Sequence, residues 1–216
     1  MDPHQLNIAA HVTLGLAALV LGPMVLARPK GDRPHKAWGR SFVWLVAGVV
    51  VTAAVGFMVF RRDAGLGAVT VLVAYQLFSG VRVARGRGRP PSGFDTFLAA
   101  SAFVAGVAFL AYLFTGAPNH WKPQVTGPIG GALLAMSGYD LWRLSAPNWR
   151  ARIWPLEHGV KMISVMGALA SAGLGTIAPQ FAPYSQVGPS AFFSLYALVY
   201  ILWRGGAQIA RLAPAE

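Results

Sequence analysis

The sequence has no cysteine and only seven acidic residues among 216. Without cysteine there are no disulfides, thiolate metal sites, cysteine nucleophiles or iron–sulfur clusters. Charged residues of either sign make up 12% of the chain, about half the ~25% of an ordinary soluble domain. Several motifs are missing as well: no phosphate-binding loop, no Gly-x-Ser-x-Gly elbow, no His-x-x-x-His or His-Glu-x-x-His pair and no aspartate-rich pair. Their absence excludes the nucleotide, hydrolase, metallohydrolase and magnesium–diphosphate chemistries that those patterns serve. The 25 glycines and 15 prolines follow no three-residue period, so a collagen-like reading fails too.

What the chain has in abundance is apolar sequence: 55% of its residues are hydrophobic. A helix needs about 20 apolar residues to cross a bilayer. Uncharged runs predict spans over about 6–27, 38–60, 64–84, 95–117, 124–144, 156–178 and 189–208. The fifth run, Gln124–Tyr139, is the weakest. The last uncharged stretch, Met162–Trp203, is too long for one helix, and Pro179, Pro183, Gly188 and Pro189 divide it in two. The first residues, Met1 to Gln5, lack the basic region of a signal peptide, so the first run is expected to remain as a span. The expectation is an all-α fold: a polytopic transmembrane bundle of seven spans, forming a single integral membrane domain over 1–216 with no extramembrane domain.

A formal charge of +11 suggests nucleic acid in a soluble protein, but in a membrane protein it first reports topology. Arg28, Lys30, Arg33, Lys36 and Arg40 follow span one, and Arg82, Arg85, Arg87 and Arg89 follow span three. Arg143, Arg150 and Arg152 follow span five, and Arg204 and Arg211 end the chain. That collects fourteen of the eighteen positive residues on one side; Arg61, Arg62 and Lys122 lie on the other. The positive-inside rule then puts the N-terminus outside and the C-terminus in the cytoplasm of a bacterial inner (plasma) membrane. Trp38, Trp142, Trp149, Trp154 and Trp203 fall at inner ends and Trp121 at an outer one, as interfacial aromatic belts do. The expected partners are the lipid bilayer and anionic lipid at the basic face around Arg85–Pro91; the Trp- and Arg-rich segment 146–154 reads first as an interfacial anchor along the inner surface, with a docked protein partner as the alternative. No nucleic acid is expected.

Small residues at four-residue spacing, Gly127/Gly131 and Gly167/Ser171/Gly175, predict close helix packing. No internal repeat supports an inverted-repeat transporter. Ionisable groups inside spans are costly, about 2.5–3.5 kcal/mol each at the centre, so each calls for an explanation. Asp140 near the end of span five and Lys161 two turns into span six are expected to pair. Tyr75 and Gln76 lie in span three. Glu157 behind Pro155 reads as an acid complementing a helix dipole, and Asp95 as an N-terminal cap.

The histidines form a second constellation. His11 and His120 belong to the outer side, His35 and His158 to the inner side, and His4 to the outer tail. Two histidines per leaflet on different helices is the arrangement a transmembrane b-type haem requires, with imidazoles as axial ligands and glycines such as Gly15 and Gly159 giving room.

The N-terminal half also carries a recognisable pattern: His11-x3-Gly15, Gly22-Pro23, a basic loop, then His35-Lys36-Ala37-Trp38-Gly39-Arg40 opening span two. It resembles a family of bacterial predicted membrane proteins known as domain of unknown function two-three-zero-six. The resemblance covers about residues 6–115 and implies a helical membrane fold and a membrane location. Lys36 stands where that family has Arg, and Pro90–Asp95 replaces its second His-Arg-rich motif.

Three functions follow as expectations, none with an assigned catalytic residue. The first is a haem b redox protein using the pairs His11/His120 and His35/His158. The second is a small-solute or proton-coupled permease using Asp140 and Lys161 with His158. The third is a non-catalytic membrane component binding lipid or a partner complex. A retinal protein is excluded, because the last span has no lysine.

Overall fold

A computed structural model describes residues 2–115, 121–144 and 153–210, with side chains given up to Arg204 in the last helix. Among the described residues there are seven α-helices and no strand: α1 (Pro3–Ala27), α2 (Arg33–Val55), α3 (Ala64–Gly86), α4 (Gly93–Phe114), α5 (Pro123–Arg143), α6 (Trp154–Ile177) and α7 (Tyr184–Ala210). A π-helical turn, Gly56–Phe60, prolongs α2, and a 3-10 turn, Pro179–Phe181, follows α6.

The few acids explain where helices begin. Asp2, Asp32 and Asp63 each accept a hydrogen bond from the backbone N–H three residues on, opening α1, α2 and α3. α2 therefore starts at Arg33, earlier than the apolar run at 38 indicates, because Asp32 caps it and Pro34 suits its first turn. At α4 the cap is Ser92. Asp95, expected in that role, is instead the third helical residue of a reciprocal capping box and bonds the Ser92 N–H at 2.7 Å. α7 starts at Tyr184, with Pro189 inside its second turn; the missing N–H there removes a single bond.

Contacts between helix ends define an up-down bundle. Asn7 and His11 at the start of α1 meet Thr52 at the end of α2, and His35 at the start of α2 meets Val25 at the end of α1. Arg82 and Asp95 join α3 to α4. Gly106 and Gly130 seat Leu133 and Leu110 between antiparallel α4 and α5. Tyr200 on α7 bonds the Pro155 carbonyl at the start of α6. The ends of α1, α3, α5 and α7 thus share one pole with the starts of α2, α4 and α6. That pole carries most of the basic residues.

Six helices are long and apolar enough to cross a membrane, and α5 is the exception. At 21 residues it spans about 31 Å at 1.5 Å per residue, so length is not what it lacks. Its polar and glycine-rich composition is what lowers its hydropathy, and it presents Val125, Ile129 and Leu133 to a buried cluster with α3 and α4.

α3 is shared between two cores. Val73 and Leu77 join Ala18, Val46, Val165 and Met166 of α1, α2 and α6. Ala68, Leu72 and Tyr75 join Ala99, Phe109 and Leu133 of α4 and α5. α7 packs on α6 along the small-residue stripe: Ser190 seats against Gly167 and bonds Ser171 at 2.7 Å, and Gln186 lies against Gly175. The other expected stripe is not used among the described residues. Gly127 and Gly131 face open space, and Gly130, one position round the helix, makes the close approach to α4.

Candidate functional site

At the basic pole, successive turns of α3 aim Tyr75, Ser79 and Arg82 toward α4 and α5. Gly80 lies beside them. A Cβ there would stand 2.4 Å from Met162 and 3.1 Å from the Lys161 stem, so its absence lets α6 lie close and lays Lys161 against α3. Lys161 Nζ donates to Asp140 Oδ2 at 2.5 Å, and the Tyr75 hydroxyl donates to the same oxygen. The Lys161 and Asp140 side chains are 5% and 13% exposed. Asp140 and Lys161, singled out from the sequence, are brought together.

A second pair lies one turn nearer the pole with its charges crossed. Arg143 of α5 contacts Glu157 of α6 at 3.0 Å, and Tyr139 donates to the same Glu157 oxygen at 2.7 Å. α5 thus presents an acid and then a base, and α6 the reverse. Glu157 does stand in the first turn of its helix, but at 6% exposure its main partners are side chains. Sequence reasoning did not find Tyr139, Arg143 or Ser79. The i, i+3 spacing of Asp140 and Arg143 against the i, i+4 spacing of Glu157 and Lys161 was the available signal.

The centre is not fully satisfied. Asp140 Oδ1, Glu157 Oε2 and Gln76 Oε1 are buried without a hydrogen-bond partner among the described residues. Gln76 Nε2 reaches only the Met136 sulfur, at 3.3 Å. Native interiors leave few such groups. Above them opens a cavity of about 360 Å³, with Ser79, Asp140, Arg143 and Lys161 in its inner wall. Arg82, Arg85 and Arg89 line its outer part with Asp95. Arg82 is held by Asp95, whereas Arg85 and Arg89 are exposed and make no ion pair among the described residues.

The described histidines divide between the two poles. His11 lies at the opposite pole, where its Nδ1 is 2.9 Å from Thr52 Oγ1. Because the Thr52 hydroxyl donates to the carbonyls of Gly48 and Val49, His11 Nδ1–H is the donor in that contact. His35 Nδ1 donates to the Val25 carbonyl at 3.3 Å and His158 Nδ1 to the Gly80 carbonyl at 3.0 Å. His35 and Lys30 are within electrostatic reach of His158. His120 lies outside the described residues, and so do Trp149 and the centre of the 146–154 segment. His4 packs on Phe60 with ring centroids 4.7 Å apart. Gly159, expected to give a cofactor room, is filled by the Tyr200 ring of α7. Among the described residues no three His, Cys, Asp or Glu side chains gather as a metal site.

The fold and the site define a class: a bundle of apolar helices, six able to cross a membrane, with a buried charged centre beneath a basic cleft. No family model, no curated protein and no solved structure matches the chain.

Proposed function

We propose that this chain is a small-solute permease of a bacterial inner membrane, coupled to protons through Asp140 and Lys161. One observation carries the reading: a buried ion pair forms part of the wall of a cavity that opens at the basic pole. A carboxylate sharing one oxygen between a lysine and a tyrosine, its other oxygen bare, can exchange a proton as its partners change. A purely structural pair has its lone pairs filled. The alternation of all seven helices and the gathering of positive charge at one pole support seven spans, with the N-terminus outside and the C-terminus in the cytoplasm. In that arrangement the cavity faces the cytoplasm.

A haem b protein is the second reading. In its favour, His11, His35 and His158 each engage Nδ1 and leave Nε2 free, the tautomer an axial ligand needs. Against it, Ala18, Val46, Leu77, Val165 and Met166, all at 2% exposure or less, fill the space between the helices bearing those histidines, and a porphyrin must displace them. A non-catalytic lipid- or partner-binding component is the third.

The test is purified protein in liposomes carrying an entrapped pH dye, challenged with a panel of small solutes. Solute-dependent proton movement is expected, abolished in Asp140→Asn while the variant still elutes as a single species. Movement unchanged in Asp140→Asn, or none for any solute, overturns the permease reading. A Soret band in the purified protein replaces it with the haem reading, and stoichiometric co-purification of another protein with the third.

A further inference from the structure

The cavity's chemistry specifies the charge of its occupant. Five cationic side chains and two acidic ones line it. Asp95 is committed to Arg82, Asp140 to Lys161, and Glu157 just behind the wall to Arg143. The surplus is therefore positive and lies on Arg85 and Arg89. Arg85 is fixed in the last turn of α3. The helix then stops with Arg87 at φ 47° and Gly88 at φ 86°, a left-handed reversal that turns the chain back so that Arg89 lines the same cleft. Deeper in, Ser79, 7% exposed, lines the cavity, and Lys161 has ammonium hydrogens beyond the one given to Asp140. Guanidinium forks, a hydroxyl and an ammonium are the donor set that a carboxylate or phosphate takes.

We propose that the cleft binds a small anion bearing a carboxylate or phosphate, and that Lys161 passes from Asp140 to the anion as Asp140 takes up a proton. This rests on the permease reading and names its substrate class. The charges balance: one anion and one proton enter, the lysine remains an ammonium, and Asp140 becomes a neutral acid still bonded to Tyr75. Asp140 Oδ1, unpaired with Lys161 in place, is the oxygen that receives the proton. The groups facing Asp140 allow the exchange. Tyr75 on α3 and Lys161 on α6 are its partners, and Tyr139 and Arg143 on its own helix are held by Glu157 of α6. Asp95 on α4 is held by Arg82, and α7 meets this half of the bundle through apolar Val187. Among the described residues no second free cation stands beside Asp140 to keep it ionised once Lys161 leaves.

The test is calorimetric titration of the full-length protein in mild detergent with inorganic phosphate and, separately, succinate, each in two buffers of different ionisation heat. Binding of at least one anion with uptake of about one proton is expected. The double variant Arg85→Gln/Arg89→Gln, in which both residues are exposed and make no ion pair among the described residues, weakens binding at least tenfold with unchanged thermal stability. Asp140→Asn retains binding without proton uptake, and Lys161→Gln loses binding. If Asp140→Asn fails to fold, the two-buffer proton count on the wild type and the arginine variant still decide. No binding of either anion, binding indifferent to both arginines, or binding without proton uptake overturns the proposal. Repeating the titration in nanodiscs of phosphatidylcholine with and without phosphatidylglycerol identifies the anion's source: competition by the anionic lipid assigns its headgroup phosphate, and no competition assigns a free solute. Anion binding without transport in liposomes removes the permease reading and leaves the site. Transport of a neutral solute without anion binding does the opposite.

Discussion

At one pole Asn7, His11 and Thr52 hydrogen-bond across α1 and α2; at the other, Tyr75, Asp140 and Lys161 join α3, α5 and α6. The first cluster is neutral and links two consecutive helices. Its contacts end on backbone carbonyls, and no buried polar atom in it lacks a partner. The second is ionic, ties α3 to the consecutive pair α5 and α6, leaves carboxylate oxygens without a partner among the described residues and opens into a cavity. Both place polar groups between apolar helices, yet only one keeps unused bonding capacity where a solute can reach. Packing is a complete account of the first cluster and an incomplete account of the second.

That contrast can be broken from the inner side first. Lys161→Met leaves Asp140 buried without its cation, and loss of one partner from a buried pair costs about 3–5 kcal/mol. SDS or thermal unfolding in detergent should register a larger loss for it than for any of the substitutions that follow. The double variant Asp140→Asn/Lys161→Met removes both charges, so most of that stability is expected to return, with no solute-coupled proton movement. A double variant as unstable as the single one shows that the pair acts through shape rather than charge. At the outer pole, Thr52→Val removes the acceptor of His11 Nδ1–H for about 1 kcal/mol and leaves anion binding and flux at wild-type levels; altered flux ends the distinction between the clusters. The smallest effect concerns the turn at the cleft. Arg87→Gly relieves a left-handed backbone and stabilises by under about 1 kcal/mol, with anion affinity within twofold, because Arg87 is not part of the cavity wall.

The sequence made the helices legible and left their neighbours largely hidden. Uncharged runs located all seven helices, most within a few residues, since an apolar run in a chain with so few charges has little else to form. The boundary of α2 moved because capping chemistry outran hydropathy at Asp32, and α7 begins earlier than its apolar run, at Tyr184. The Asp140–Lys161 contact was legible because two charges at similar depth on consecutive antiparallel helices need each other. The part played by Tyr75 was not: it depends on the rotation of α3, which α4, α5 and α6 set together. Arg143 and Glu157 were each readable as helix-end charges, and that local account concealed their pairing. The stripe on α5 was misplaced by one residue, because glycine spacing marks a periodicity and not which side a neighbour occupies.

α3 belongs to both cores at once. Tyr75 holds Asp140 from one side of it, while Val73 and Leu77, within two residues, are locked among α1, α2 and α6. Interiors this closely packed do not deform smoothly. A shift that frees the tyrosine's grip on the carboxylate therefore cannot stay local: as α3 turns, it drags the other core with it. In that sense the helix acts as an axle: any turn of α3 large enough to release Tyr75 from Asp140 reaches α1 and α2, which otherwise have no part in the charged centre.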